Sequence, residues 1–212
     1  MRVSLLLALM EAFKVALIAN PIAIDSERRY IDMVAERVVV DVKSDHSQVM
    51  GEYVFLLGKD FTPEAPDTYV EISVPVILKQ KDAALYTAKW DCPKLRVQNQ
   101  TIACQYQQRW NPMDPQSDDH VEYFVARLPL TMLSERFELR LTYTQPHLPG
   151  RVAAYLPMLP PSKGLPAEVC FQATQGIRLR RAGGWSLFGQ KTSQISFTPQ
   201  DRKMLRVKAF NE

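Results

Sequence analysis

Cysteines and acidic loops are the first places to look for chemistry in this 212-residue sequence. Cys92 and Cys104 flank a compact stretch almost symmetrically about Asn99. If the two flanks are paired strands, opposed Cβ atoms lie about 4.5–5.5 Å apart, close to disulfide geometry. An exported chain could form that bond. The competing reading is two small buried thiols. Cys170 is then left over and is assigned to the core. Zinc is not expected: there is no CxxC, and His46, His120 and His147 fall in separate loops. Asp114, Asp118, Asp119 and His120 share one loop, where carboxylate oxygens could hold Ca²⁺. Their spacing fits no EF-hand, and polar loops are commonly acidic without a metal, so no cofactor is expected.

Aromatic and basic residues suggest binding instead. Tyr106 and Trp110, with Arg109 beside them, open the longest polar stretch and could stack on a sugar or a partner. Trp185, Leu187 and Phe188 are bracketed by glycines in residues 183–189. Such a tip could enter a membrane surface or a partner groove; the commoner outcome is folding back onto the domain. Arg178 and Arg180 alternate with Ile177 and Leu179, an amphipathic strand first and an anion patch second. Asn99-Gln-Thr matches a glycosylation sequon. The sequence has no Gly-x-Ser-x-Gly, phosphate-binding glycine loop, dinucleotide fingerprint or His-Glu-x-x-His, so nothing positive points to an enzyme. It also lacks a nucleic-acid-reading motif. The 26 basic and 23 acidic side chains, net +3, are too evenly balanced to imply a polyanion partner.

The elements that must position these residues read as strands. Residues 36–57 alternate apolar and polar side chains in two runs, separated by Ser44-Asp45-His46-Ser47. Side chains on a strand change face at every residue, so this is a hairpin of two core strands. Residues 69–78 follow, with Pro75 requiring an edge or a bulge. Residues 84–92 are read as another strand, with Trp90 in the core. A compact hairpin spans residues 92–104. The polar loop of residues 107–120 follows, then a central strand at 121–130 and a half-buried one at 137–143. Shorter strands fall at 152–159, 167–173, 177–181, 194–198 and 204–210. About a dozen strands at this spacing predict an all-β, antiparallel sandwich. No useful helical periodicity is expected after residue 35, beyond one turn near Leu133. Fifteen prolines against eight glycines agree with strands joined by stiff loops.

Residues 1–23 carry a basic start, an apolar run and small residues, the outline of a secretory signal or signal anchor. Glu11 and Lys14 interrupt the run, which argues against a lasting span. The other reading is an N-terminal hydrophobic helix on the domain. Residues 25–35 are expected to lead in with a short helical turn. Residues 24–212 then form the β-sandwich region, either one unit or two small sandwiches split near residues 107–120. The strand density resembles immunoglobulin-like extracytoplasmic domains, an analogy of fold that implies no activity. The expected function is a non-catalytic β-sandwich in the periplasm, the cell envelope or the medium. It would bind a protein partner or assist envelope assembly. A carbohydrate-binding module is the second reading, and an enzyme with a site built from distant loops is the third. Nucleic acid is not an expected partner. Membrane contact is expected only through the N-terminal segment or the 183–189 tip.

Overall fold

The computed structural model describes residues 31–57, 69–78, 83–98, 100–107, 120–156, 167–182, 191–198 and 204–211. The signal-like segment therefore lies outside the described residues. So do Trp110, Asp114, Asp118, Asp119, Trp185, Leu187 and Phe188. In chain order the strands are β1 (Ile31–Val42), β2 (His46–Leu57) and β3 (Tyr69–Leu78), then the helix α1 (Ala83–Lys89). Next come β4 (Lys94–Val97), β5 (Gln100–Ala103), β6 (Gln105–Gln107), β7 (His120–Pro129) and β8 (Arg136–Pro146). The chain ends through β9 (Val152–Tyr155), β10 (Ala167–Ala173), β11 (Ile177–Arg181), β12 (Gln194–Phe197) and β13 (Leu205–Asn211). The described residues are all-β apart from α1 and a helical turn at Leu130–Met132.

A seven-stranded sheet, ordered β12-β10-β1-β2-β8-β4-β5, forms one layer. Two three-stranded sheets, β3-β7-β6 and β11-β13-β9, contribute to the same core. Alternation explains the large sheet. Val38, Val40 and Val42 on β1, Val49, Tyr53 and Phe55 on β2, and Phe137, Leu139, Leu141 and Tyr143 on β8 all turn inward and are buried. Phe55 and Phe137 lie opposite each other with ring centroids 5.1 Å apart, a pair worth about 1 kcal/mol beyond its buried area. The outward row mixes charged residues with apolar ones such as Met50 and Leu56. Glu168 sits opposite Arg37, Arg37 opposite Glu52, and Glu52 opposite Arg140. Alternating signs across neighbouring strands favour this register, and a one-residue slip would both break the ladder and turn the valines to water.

Strands from both sides of residues 108–119 pair within one sheet, β2 with β8 and β3 with β7. Pro75 is accommodated as expected, because among the described residues β3 is an edge strand, bonded to β7. A side chain guards part of that edge. Gln145 of β8 is fully buried; its Oε1 accepts from Ile77 N at 3.0 Å and its Nε2 donates to Ile77 O at 2.6 Å. The amide pairs with the Ile77 backbone as a neighbouring strand would, and so fastens the large sheet to the small one.

Several expectations need correction. Residues 84–92 are not a strand: α1 occupies Ala83–Lys89, and Trp90 N donates to Tyr86 O at 2.8 Å. Tyr86 and Trp90 are four apart, a spacing that suits either period, and alanine, leucine and lysine favour the helix. The large sheet is mixed rather than antiparallel, because β10 runs parallel to β1. β1 begins at Ile31, where a helical turn was expected, because Ile31–Met33 pair with Phe55–Leu57 across a register shift near residue 34. The helical turn near Leu133 falls at Leu130–Met132 instead.

Gly51 answers to a specific need. It lies opposite Val38 and Leu141, and a Cβ there would come within 2.6 Å of the Tyr53 ring and collide with its hydroxyl. The buried Tyr53 ring has no room to retreat. Gly51→Ala is expected to destabilise the fold by about 1–3 kcal/mol, read as a lower urea midpoint with unchanged slope. Gln145→Leu strands two buried backbone groups of Ile77 and is expected to cost about 2 kcal/mol or more in the same assay.

Candidate functional site

Sheet β11-β13-β9 carries the most distinctive surface among the described residues. Ile177, Leu179, Val207 and Ala209 are buried in the core. The alternate positions of β11 and β13 therefore face outward, and these are Arg178, Arg180, Arg206, Lys208 and Phe210. Arg178 lies opposite Phe210, and Arg180 lies directly opposite Lys208. Phe210 is half-buried and gathers the cations. Arg180 lies 5.0 Å from its ring centroid, Lys191 4.8 Å and Lys208 5.7 Å. Arg181 lies 4.6 Å from the Phe197 ring and donates to Ser196 O at 3.1 Å. No Asp or Glu occurs on β9, β11, β12 or β13. The strip can attract anionic groups, and arginine forks suit phosphate or carboxylate oxygens in pairs.

A second cluster gathers where the β1–β2 turn meets the end of β8. Ser47 Oγ and His147 Nε2 are 3.1 Å apart, and His147 N donates to Asp45 O at 3.4 Å. His46 Nδ1 bonds Asp45 Oδ1 at 2.8 Å and its ring lies 4.6 Å from Trp90. Trp90 is thus half-buried beside the core, with Lys89 over it at 4.5 Å. A serine beside a histidine invites comparison with a hydrolytic dyad. Two facts oppose it: Ser47 is fully buried, and Asp45 orients His46 rather than His147. His147 Nδ1 is buried without a hydrogen-bond partner among the described residues. Burial holds the His147 pKa down to about 4, with the His46 ring and Arg151 acting in the same direction and Asp45 opposing.

A third polar group crosses the core. Tyr155 Oη donates to Glu36 Oε1 at 2.9 Å, and the Tyr53 and Tyr155 hydroxyls are 3.2 Å apart. Because Tyr155 spends its proton on Glu36, Tyr53 is the donor to Tyr155. Burial first, then neighbouring charge, pushes both phenols well above the usual tyrosine range, so they stay protonated. All three side chains are sealed from solvent, which makes this a structural bridge.

The residues singled out by sequence fare differently. Arg178 and Arg180 fall together on the cationic strip, the anion patch held as the secondary reading. Tyr106 is 43% exposed, yet its hydroxyl donates to Glu122 at 2.9 Å and its ring lies 5.8 Å from Phe124. Cys92 and Cys104 are both free thiols, as is Cys170. The register explains why the expected symmetry fails. Lys94 pairs with Ala103, and Cys104 N donates to Pro93 O, so the two cysteines are offset by one position. Burial, then Cys92, pushes the Cys104 thiol up to about 12. Cys170 is buried, and Gln194 Nε2 donates to its sulfur at 3.0 Å. The described residues contain no cluster of three or more His, Cys, Asp or Glu able to hold a metal. The calcium candidates lie outside them.

Arg206, Lys208, Lys191 and Phe210 were not singled out by sequence, although a signal existed. Residues 169–211 hold eight basic side chains and one acidic, net +7, which leaves −4 on the rest. The whole-chain charge hides that segregation.

No family model matches the chain, and no curated protein matches it. Some solved structures share a similar backbone course. A candidate nutrient binding protein from Legionella pneumophila is 10% identical, with a TM-score of 0.48 over 85% of this chain and 67% of that one. Native leukotriene A4 hydrolase from Saccharomyces cerevisiae is 9% identical, with a TM-score of 0.43 over 90% of this chain. This chain spans 30% of that enzyme's length. An M1 zinc metallopeptidase from Deinococcus radiodurans is 13% identical, with a TM-score of 0.28 over 86% of this chain and 39% of that one. No functional residue is carried over from any of them.

The histidine cluster has a testable consequence. His147 stays neutral when folded and takes a proton more readily once unfolded, where its pKa returns to 6.5. Its contribution to stability is complete above about pH 6.5 and is lost as pH falls towards about 4. The urea midpoint should decline across that window in the native protein, and His147→Gln should flatten that part of the decline.

Proposed function

We propose that this protein is a non-catalytic binding domain of the cell envelope or periplasm, docking on anionic partners through the outer face of β11 and β13. The observation that carries the reading is the strip formed by Arg178, Arg180, Arg206 and Lys208 around Phe210, on strands without a single acidic residue. Arg180 and Lys208 lie in opposed positions, so one anionic group can be attracted by both. The reading treats residues 24–212 as one immunoglobulin-like sandwich unit, supported by the larger core cluster, which draws on strands before and after residues 108–119. An extracytoplasmic location rests on the signal-like composition of residues 1–23. Trp185, Leu187 and Phe188, also binding candidates in the sequence, lie outside the described residues.

The carbohydrate reading keeps one observation, the exposed Tyr106 ring beside the stretch that holds Trp110. It is the weaker of the two, because Glu122 already takes the Tyr106 hydroxyl.

Retention on a heparin column tests the docking face. The native protein should bind at low salt and elute as salt rises. The Arg180→Gln/Lys208→Gln double variant should elute at distinctly lower salt. Lys94→Gln/Arg136→Gln, which removes two cations from the seven-stranded sheet, should elute like the native protein. Equal elution of all three would defeat the assignment of the face.

A further inference from the structure

We infer that the exposed edge strand β5 is a self-association site, where a second copy of this chain adds its own β5 antiparallel and makes one sheet continuous through both subunits. The cationic face of β11 and β13 plays no part in this contact. β5 ends the seven-stranded sheet. On its inner side it pairs with β4, Lys94 opposite Ala103, Leu95 opposite Ile102 and Arg96 opposite Thr101. Cys104 N donates to Pro93 O at 3.0 Å, and antiparallel strands exchange bonds at every second pair. Ile102 therefore bonds Leu95, while the N–H and C=O of Thr101 and Ala103 point away from β4. Both residues are exposed, and among the described residues no strand takes up those groups. They form a ready template for another strand.

Other sheet edges carry devices that block such an addition. β3 has Pro75, and Gln145 occupies the Ile77 backbone beside it. β11 bears three arginines in five residues. Beside β12, Ser196 O accepts from Arg181, and Thr192 bridges to Leu179 of β11. Charges, prolines and covering groups are how proteins keep sheet edges from pairing. β5, with the sequence Gln-Thr-Ile-Ala, has no charge, no proline and no bulge in its pairing with β4.

Neutrality favours a second copy as the occupant. A strand paired antiparallel with its own copy about a two-fold axis sets each residue against one from the same short segment, so a charge there would meet a like charge. β5 offers none. The outward direction of Thr101 and Ala103 also sets the register. Thr101 exchanges both backbone bonds with the partner's Ala103, and the axis passes beside Ile102. Ile102 is half-buried against the core cluster, and across the axis it meets the partner's Ile102 at a close, non-hydrogen-bonded pair. The apolar interior thus continues from one subunit into the other. Arg96 and the partner's Lys94 then stand about 14 Å apart, three strand spacings, beyond the screening length of about 8 Å at physiological salt. Four residues of edge make a small contact, so the dimer belongs to the weak class, with Kd on the order of micromolar.

Sedimentation velocity of the full chain, from low micromolar to about 100 μM, tests the inference. The native protein should pass from monomer to dimer across that range. Thr101→Pro removes an outward N–H from each copy without touching the bonds to β4, and should weaken the dimer about 10-fold or more. Thr101→Ala keeps that N–H and should dimerise like the native protein. Thr101→Lys/Ala103→Lys sets lysine against lysine at both outward pairs and should abolish the dimer at low salt. Both positions of the lysine variant are exposed, so it serves where circular dichroism shows that the proline variant does not fold. A native protein that stays monomeric throughout would overturn the inference. So would a dimer that the proline and lysine variants keep at native strength, because the contact would then lie elsewhere. Assemblies that grow beyond two copies would also overturn it, since a two-fold edge contact closes at the dimer.

Discussion

Two small sheets cannot bury their inner faces alone, and the seven-stranded sheet is what lets them. Everything else depends on keeping those layers in register. Apolar packing supplies most of the driving force, but it is non-directional and tolerates sliding. The directional restraints are two buried polar links. Gln145 pairs with both backbone groups of Ile77 and fixes the edge of the β3 sheet to the large sheet. The Tyr53–Tyr155–Glu36 chain joins β2, β9 and β1, fixing the third sheet to the same layer. Each link is worth only modest energy when intact, yet displacing either layer would strand buried donors and acceptors at several times that cost.

These links explain features that look incidental. Gly51 is small because Tyr53 must lie over it to reach Tyr155. Pro75 is tolerated because β3 needs no second neighbour. Tyr86 docks α1 by donating to Thr144 O at 2.8 Å and packing 5.1 Å from Phe124. The large sheet thereby fixes the helix too, and the interior is used for restraint. Ser47 and the Glu36–Tyr155–Tyr53 chain are enclosed. Among the described residues, the cationic face of β11 and β13 is strongly biased in charge.

That face was half legible in the sequence. The alternation of Ile177 and Leu179 with Arg178 and Arg180 already placed the arginines on one outward row. Lys208 and Phe210 lie some thirty residues later, and only strand pairing sets them beside Arg180 and Arg178. The cysteines show the converse. Their near-symmetry about Asn99 suggested opposed positions, but the hairpin pairs Val97 with Gln100 and displaces the outer residues by one.

By itself the sequence determined the all-β class, the strands rich in strict alternation, an edge or bulge at Pro75 and the outward row of β11. Those follow from period-two patterning and missing donors, which are local properties. Tertiary structure alone decided the parallel pairing of β1 with β10, the helix at Ala83–Lys89, and the meeting of β11 with β13. The physical reason is the same in each case. A strand's pattern states which face is buried, but not which neighbour buries it. Short segments such as α1 take whichever conformation lets Tyr86 and Trp90 reach the core.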